Sequence, residues 1–305
     1  MAEVMTDYRA LDRLLLPDEN TWGQGIRPYT AAELNEIAQN VNESKQLGYG
    51  ARLHADTGGY TPGQPGGRRA AVPSGFDAAD HPNRAGLVPG AADPDIITEF
   101  GEPVQQVDPR LRELFIARGW VQDQHGRPLH PRHEQLLSDD RIGMVTGLGF
   151  GWWYGEAVVA DAVVTTGTGH VLVVDRDTDA GRIPSLPGGY TTPSDFGRTV
   201  AQWQTGDRPV TAEGIVTGAL RRTAAETGLV VPRWATPELV RGIRPVSSVH
   251  TLHAWTMTVT VRVHLPGTEL PALERATSAR WVPDYATVLD RMWPDHRRAL
   301  LAAVE

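Results

Sequence analysis

The stretch ALRRTAAETGL, residues 219–229, sets two arginines one helical turn ahead of a single acid. In a helix, positions 222, 225 and 226 share one face, because residues three and four apart are neighbours. Carboxylates at all three would converge on a hard divalent cation, which takes oxygen ligands. Here those positions carry Arg222, Ala225 and Glu226, so one acid stands on that face. Two chemistries are open to Glu226. It can ligate a hard divalent cation, since such an ion can bind through one or two carboxylates with waters and other oxygens completing the shell, or it can pair with Arg222 across one turn. Arg222 can also contact a phosphate oxygen directly, in the bidentate geometry that suits a guanidinium. Glu213 and Arg221 are spaced to form an ion pair that fixes the preceding loop to the helix.

These side chains need a scaffold, and the flanking sequence supplies one. Ile215, Val216, Ala219 and Leu220 follow the helical period from a start near Thr211, and Gly228 is a C-terminal stop. EAVVADAVVTTGTGHVLVVDRD reads as two β-branched runs joined by Thr-Gly-Thr-Gly, a hairpin or closely paired strands. In TLHAWTMTVTVRVH the apolar residues Trp255, Met257, Val259, Val261 and Val263 alternate with mostly polar ones, which predicts a strand with one buried face, Trp255 on it. His250, His253 and His264 have no metal-ligand spacing and read as ordinary polar positions. DHRRALLAAVE is a closing helix. Strands, a helix, more strands and a final helix predict an α+β sandwich over residues 147–305.

Residues 1–146 read as a loop-rich N-terminal lobe. Residues 54–95 are so dense in Gly, Pro and Asp that no periodicity survives. Helices are predicted on either side: residues 30–48, with a Thr cap and Glu33 at the capping-box position, and residues 108–120. A length of 305 residues suits about two domains. A net charge of -8 argues against nucleic-acid polymers and anionic membranes, which call for basic surface, while allowing a local basic pocket. No cysteine is present, which excludes disulfides and thiolate metal sites and suits a reducing cytoplasm. The opening MAEVMTDYRALDRLLLPDEN mixes acids into its apolar run, unlike a signal peptide, and no stretch approaches the roughly 18 apolar residues of a membrane span.

The C-terminal half resembles the Nudix hydrolases. Against that family's box, G-x5-E-x7-R-E-U-x-E-E-x-G-U, where U is a bulky aliphatic, Glu213, Arg221, Glu226, Gly228 and Leu229 fall at matching spacings. Asp207, Arg222, Thr223 and Ala225 depart from it. LPGGY, ending at Tyr190, resembles the turn before the box, and SARWVP resembles the fold's later strand. HGRPLHP, WYGEAVVADAVVT, TLHAW, DHRRALL and the early LLPDENTWGQGIRPYT are similar, in order, to the ADP-ribose pyrophosphatase branch, which includes the mitochondrial enzyme and the Nudix-like domain of a melastatin-type channel.

The resemblance implies an α/β/α sandwich with a mixed sheet, capped by the N-terminal lobe, with an ADP-ribose-like or NAD-derived dinucleotide in the cleft between them. It implies hydrolysis of the diphosphate to AMP and a second phosphorylated product. Glu226 and Glu213 would then be catalytic, with Glu226 and a backbone carbonyl near Gly189 holding Mg²⁺ or Mn²⁺. Arg222, Arg221, Asp161, Tyr190 and His296 would contact substrate. Asp175, Asp177, Glu274 and Asp284 are further candidates for the base. Where that branch has acids near the Ala-Trp strand, this chain has Thr256, Met257 and Val259, so ribose or base contacts should differ. The resemblance leaves a homodimer open. Loss of two box acids opens an alternative: a cleft that senses the nucleotide without cleaving it. A third reading, an interaction scaffold built on residues 54–95, predicts no nucleotide binding.

Overall fold

The computed structural model describes residues 28–46, 107–123, 126–139, 154–178, 181–245, 253–274 and 278–304. The Gly/Pro-rich stretch 54–95, most of the opening segment and His250 lie outside them. A mixed sheet dominates. β1 (Gly155–Thr166) runs parallel to β6 (Ala254–Leu265) along its full length, from Gly155↔Ala254 to Thr166↔Leu265. Elsewhere β1 pairs antiparallel with two strands. Its end turns into β2 (Val171–Thr178) through the Thr-Gly-Thr-Gly link, with Thr165 opposite Val171, and its middle pairs with β4 (Gly188–Tyr190), with Asp161 opposite Gly188. β3 (Gly181–Ser185) and β7 (Ala279–Val282) pair with β2, and β5 (Glu238–Pro245) pairs with β6.

Two cores lie on the two faces of this sheet. Because parallel register sets Glu156 beside Trp255 and Val158 beside Met257, the even residues of β1 and the odd residues of β6 share one face. Trp255, Met257, Val259, Val261 and Val263 are each 0% exposed there. They pack with Ile215, Val216 and Ala219 of a long helix and with Leu111, Phe115, Trp120 and Leu136 of the N-terminal segments. A buried aliphatic side chain of this size contributes about 1.5–3 kcal/mol. On the other face Val163, Val173, Leu186 and Val282 pack with Ala299, Leu300 and Ala303 of the C-terminal helix. That second layer corrects the expectation of one buried face for β6: Thr256 and Thr260, on its polar side, are buried as well.

The helices are α1 (Ala31–Gln46), α2 (Pro109–Ala117), α3 (His133–Leu137), α4 (Val200–Gln204), α5 (Ala212–Thr227), α6 (Ala286–Leu289) and α7 (Pro294–Val304). Their ends follow local chemistry. Thr30 and Glu33 form the anticipated capping box, Glu33 accepting from the Thr30 N–H and Thr30 from the Glu33 N–H. Thr211 caps α5 by accepting from the Gly214 N–H, and Gly228 ends it at φ 72°, a left-handed conformation that suits glycine. Thr223, on the buried side of α5, donates to the Ala219 carbonyl one turn back, which satisfies its hydroxyl inside an apolar layer. Among the described residues no helix is long and apolar enough to cross a membrane.

Candidate functional site

The last turn of α5 meets the Gly188-Gly189 turn of β4. Glu226 reaches across, and its Oε2 accepts the Gly188 N–H at 3.0 Å. Two guanidiniums close on the same carboxylate. Arg176, from β2, donates through Nη2 to Oε2 at 3.2 Å and lies 3.2 Å from Oε1 through Nη1. Arg222 donates through Nη2 to Oε1 at 3.3 Å. Both arginines also reach the Gly188 carbonyl, Arg176 at 3.3 Å and Arg222 at 3.4 Å. The cluster opens to solvent through the arginines, whose side chains are 28% and 34% exposed against 16% for Glu226.

Glycine is needed here because the approach is close. A Cβ on Gly188 would stand 2.4 Å from Asp161 Oδ1 and 2.6 Å from the Ala160 carbonyl oxygen, and one on Gly189 would stand 2.9 Å from Arg222 Nη2. Beneath the turn lie Asp161 and His296. The Leu186 N–H donates to His296 Nδ1 at 3.0 Å, which leaves the ring proton on Nε2, 3.6 Å from Asp161 Oδ2. Burial pushes Asp161 up to about 7 even though Arg176 pulls the other way. Burial, helped by Arg176, pushes His296 down to about 3, so near neutral pH the ring is uncharged and its contact with Asp161 is not an ion pair. Burial also holds Arg222 below the usual arginine value, with Glu226 opposing.

Of the residues singled out in the sequence, the structure brings Glu226, Arg222, Gly189, Asp161 and His296 to one place. Tyr190, at the end of β4, is half-buried and packs against the core that α5 shares with β6. Glu213 is exposed in the first turn of α5, thirteen residues from Glu226, which is about 20 Å along the axis at 1.5 Å per residue. The expected Glu213–Arg221 pair is replaced by another. Arg221 binds Asp195 through two bonds of 2.8 Å, and Asp195 also accepts from the Thr192 N–H at 2.7 Å, tying α5 to a 3-10 turn (Pro193–Phe196). Among the other acids, Asp175 pairs with Arg280 and Asp177 with Arg182. His264 bonds Thr165, and His253 is buried beside Asp123. Sequence reading missed Arg176 and Asp195. Arg176 sits in an acid-flanked strand end, and its one signal is that it shares alternation with Val174, on the β2 side that meets Ser185 of β3.

No family model matches this chain, and no curated protein does. Solved structures similar to it include the Nudix domain of NrtR from Shewanella oneidensis in complex with ADP-ribose, at 21% identity and a TM-score of 0.35, covering 50% of this chain and 88% of that one. The bifunctional NMN adenylyltransferase/ADP-ribose pyrophosphatase of Francisella tularensis matches at 17% identity and a TM-score of 0.35, covering 50% of this chain and 41% of that one. The dihydroneopterin triphosphate pyrophosphohydrolase of E. coli matches at 14% identity and a TM-score of 0.33, covering 47% of this chain and 91% of that one.

A divalent cation does not fit the residues present. Glu226 is the only acid among positions 222, 225 and 226 of α5, both its oxygens are engaged by guanidiniums, and the nearby Gly188 carbonyl accepts from the same two arginines. A cation entering there would meet two fixed positive charges within bonding range of its ligands. Among the described residues no group of three or more His, Asp and Glu side chains is arranged to hold a metal ion. The same arrangement suits an anion. Two partly exposed guanidiniums and a backbone N–H converge on one pair of oxygens, the donor set that phosphate recognition uses. A separate cavity of about 530 Å³ lies toward the ends of β1 and β6, lined by Thr165, Glu238, Arg262, His264 and Tyr285, where Arg262 and Glu238 pair with each other.

Proposed function

We propose that this chain is a nucleotide-binding protein of the sensor type, which takes the diphosphate of an ADP-ribose-like molecule at the Gly188 turn through Arg176 and Arg222. In this reading guanidinium charge replaces the metal ion. The observation that carries it is the pair of arginines closing on Glu226 at 3.2–3.3 Å, in a chain of otherwise negative net charge. The resemblance of residues 187–190 and 213–229 to the Nudix turn and box supports the nucleotide as the ligand class. Titration calorimetry with ADP-ribose in EDTA, and again with Mn²⁺, tests it. Equal affinity in both buffers and no AMP after prolonged incubation are expected. Binding that appears only with metal, with AMP accumulating, would overturn it.

One observation favours a second reading, hydrolysis of the same diphosphate. Asp161 lies under the turn with its carboxyl pushed up to about 7, a value suited to exchanging a proton near neutral pH. AMP release that Asp161→Asn abolishes, with ADP-ribose binding retained, would select this reading over the first.

A further inference from the structure

Two arginine–carboxylate contacts on the same helix differ in quality. Arg221 and Asp195 meet in a paired geometry with both bonds at 2.8 Å, the length expected of a charge-assisted hydrogen bond. The Asp195 side chain is 2% exposed and also anchors a turn, so this pair is scaffolding. One turn later, Arg176 faces both Glu226 oxygens through its two Nη atoms at 3.2 Å and Arg222 reaches one of them at 3.3 Å, so every contact is longer than the 2.8 Å bonds of the first pair. The carboxylate sits between the two guanidiniums and is shared by them. It is also within reach of solvent, at 16% exposure, on the last turn of α5, where the helix ends at Gly228.

We infer that Glu226 is a built-in occupant of the anion site: its carboxylate stands where a phosphoryl group of the ligand binds, holds Arg176 and Arg222 apart, and is displaced when the ligand arrives. This rests on the proposed diphosphate site and reverses the role that box spacing assigns to Glu226. A carboxylate and one phosphoryl group of a diphosphate offer guanidinium the same pair of acceptor oxygens, but the diphosphate carries a second phosphoryl group beside the first, with its own charge and its own pair of acceptors for the second guanidinium. Displacement frees three donors together: the two guanidiniums and the Gly188 N–H that Glu226 Oε2 now holds at 3.0 Å. The internal carboxylate keeps like charges from facing each other in the empty site, and it sets a threshold, because the ligand must compete with it. That makes the site selective for strongly anionic groups over neutral sugars or bases.

Glu226→Gln separates this role from the alternatives. Glutamine keeps an acceptor for the Gly188 N–H while removing the charge that competes with phosphate. Affinities of wild type, Glu226→Gln and Arg222→Gln for ADP-ribose and for inorganic pyrophosphate, measured by calorimetry in EDTA, are the readout. Glu226→Gln is expected to bind both roughly tenfold more tightly, the ratio that a charge-assisted contact of about 1.4 kcal/mol represents, and Arg222→Gln to bind both more weakly. Equal or weaker binding by Glu226→Gln, with wild type still binding, overturns the displacement and leaves the binding site standing. No binding by any of the three overturns both. Wild-type protein gives a second measurement that needs no variant: on adding pyrophosphate, the Glu226 carboxylate carbon resonance should move toward that of a solvated glutamate while that of Asp195 stays fixed. An unmoved Glu226 resonance under saturating ligand overturns the displacement.

Discussion

Glu156 offers a test of how the N-terminal segments are joined to the sheet. It lies on β1 in register with Trp255 of β6, and its side chain is 0% exposed. Arg118, just after α2, brings Nη1 to 3.6 Å from it, while buried Arg208 donates to the Tyr154 and Trp203 carbonyls nearby. Burial pushes the Glu156 carboxyl from 4.5 up to about 7, against the pull of Arg118. The unfolded chain therefore releases this proton earlier in a titration than the folded one. Its contribution to stability is fully present below pH 4.5 and is lost as pH rises through about 7. Over that interval, at 1.36 kcal/mol per pH unit, the loss is about 3 kcal/mol. Glu156→Gln keeps the shape and removes the titration. Urea unfolding followed by tryptophan fluorescence, at a series of pH values from 4.5 to 7.5, gives the stability of both proteins. The variant is expected to gain on wild type by about 3 kcal/mol across the series, because the opposing shifts of Asp161 and His296 are common to both proteins and cancel in the difference. A difference that stays constant with pH, or one that shrinks as pH rises, would refute the assignment of burial as the dominant influence on Glu156.

Two further substitutions probe the site and its scaffold. Gly188→Ala places a Cβ 2.6 Å from the Ala160 carbonyl oxygen, backbone that cannot swing away, so the turn should shift, melting temperature should fall and ADP-ribose binding should be lost; a variant that melts and binds like wild type would contradict the geometry of the turn. Arg221→Ala strips a buried carboxylate of its partner and should cost about 1–2 kcal/mol by urea unfolding, discounted because the Arg221 side chain is 38% exposed, while pyrophosphate affinity stays unchanged; weakened binding without loss of stability would make Arg221 a ligand contact instead.

The parts of this molecule that depend on near neighbours in the chain could be read before any fold was known. The Thr30–Glu33 box, the Thr211 cap, the left-handed Gly228 and the alternation from Trp255 to Val263 each involve residues a few positions apart, and each stands where the sequence predicts. The Arg222–Glu226 contact is legible for the same reason, since helical geometry alone makes residues one turn apart neighbours. Long-range partners were decided by tertiary structure. Spacing offered Arg221 the nearby Glu213, but the two lie on different parts of α5, and a turn 26 residues away supplied Asp195 instead. Arg176 comes from 50 residues before Glu226, and no pattern in its strand announces that it will close the other side of that carboxylate. Whether position 226 meets a cation or two guanidiniums depends on which strand crosses the end of α5, because electrostatic fields act through space and take no account of sequence order.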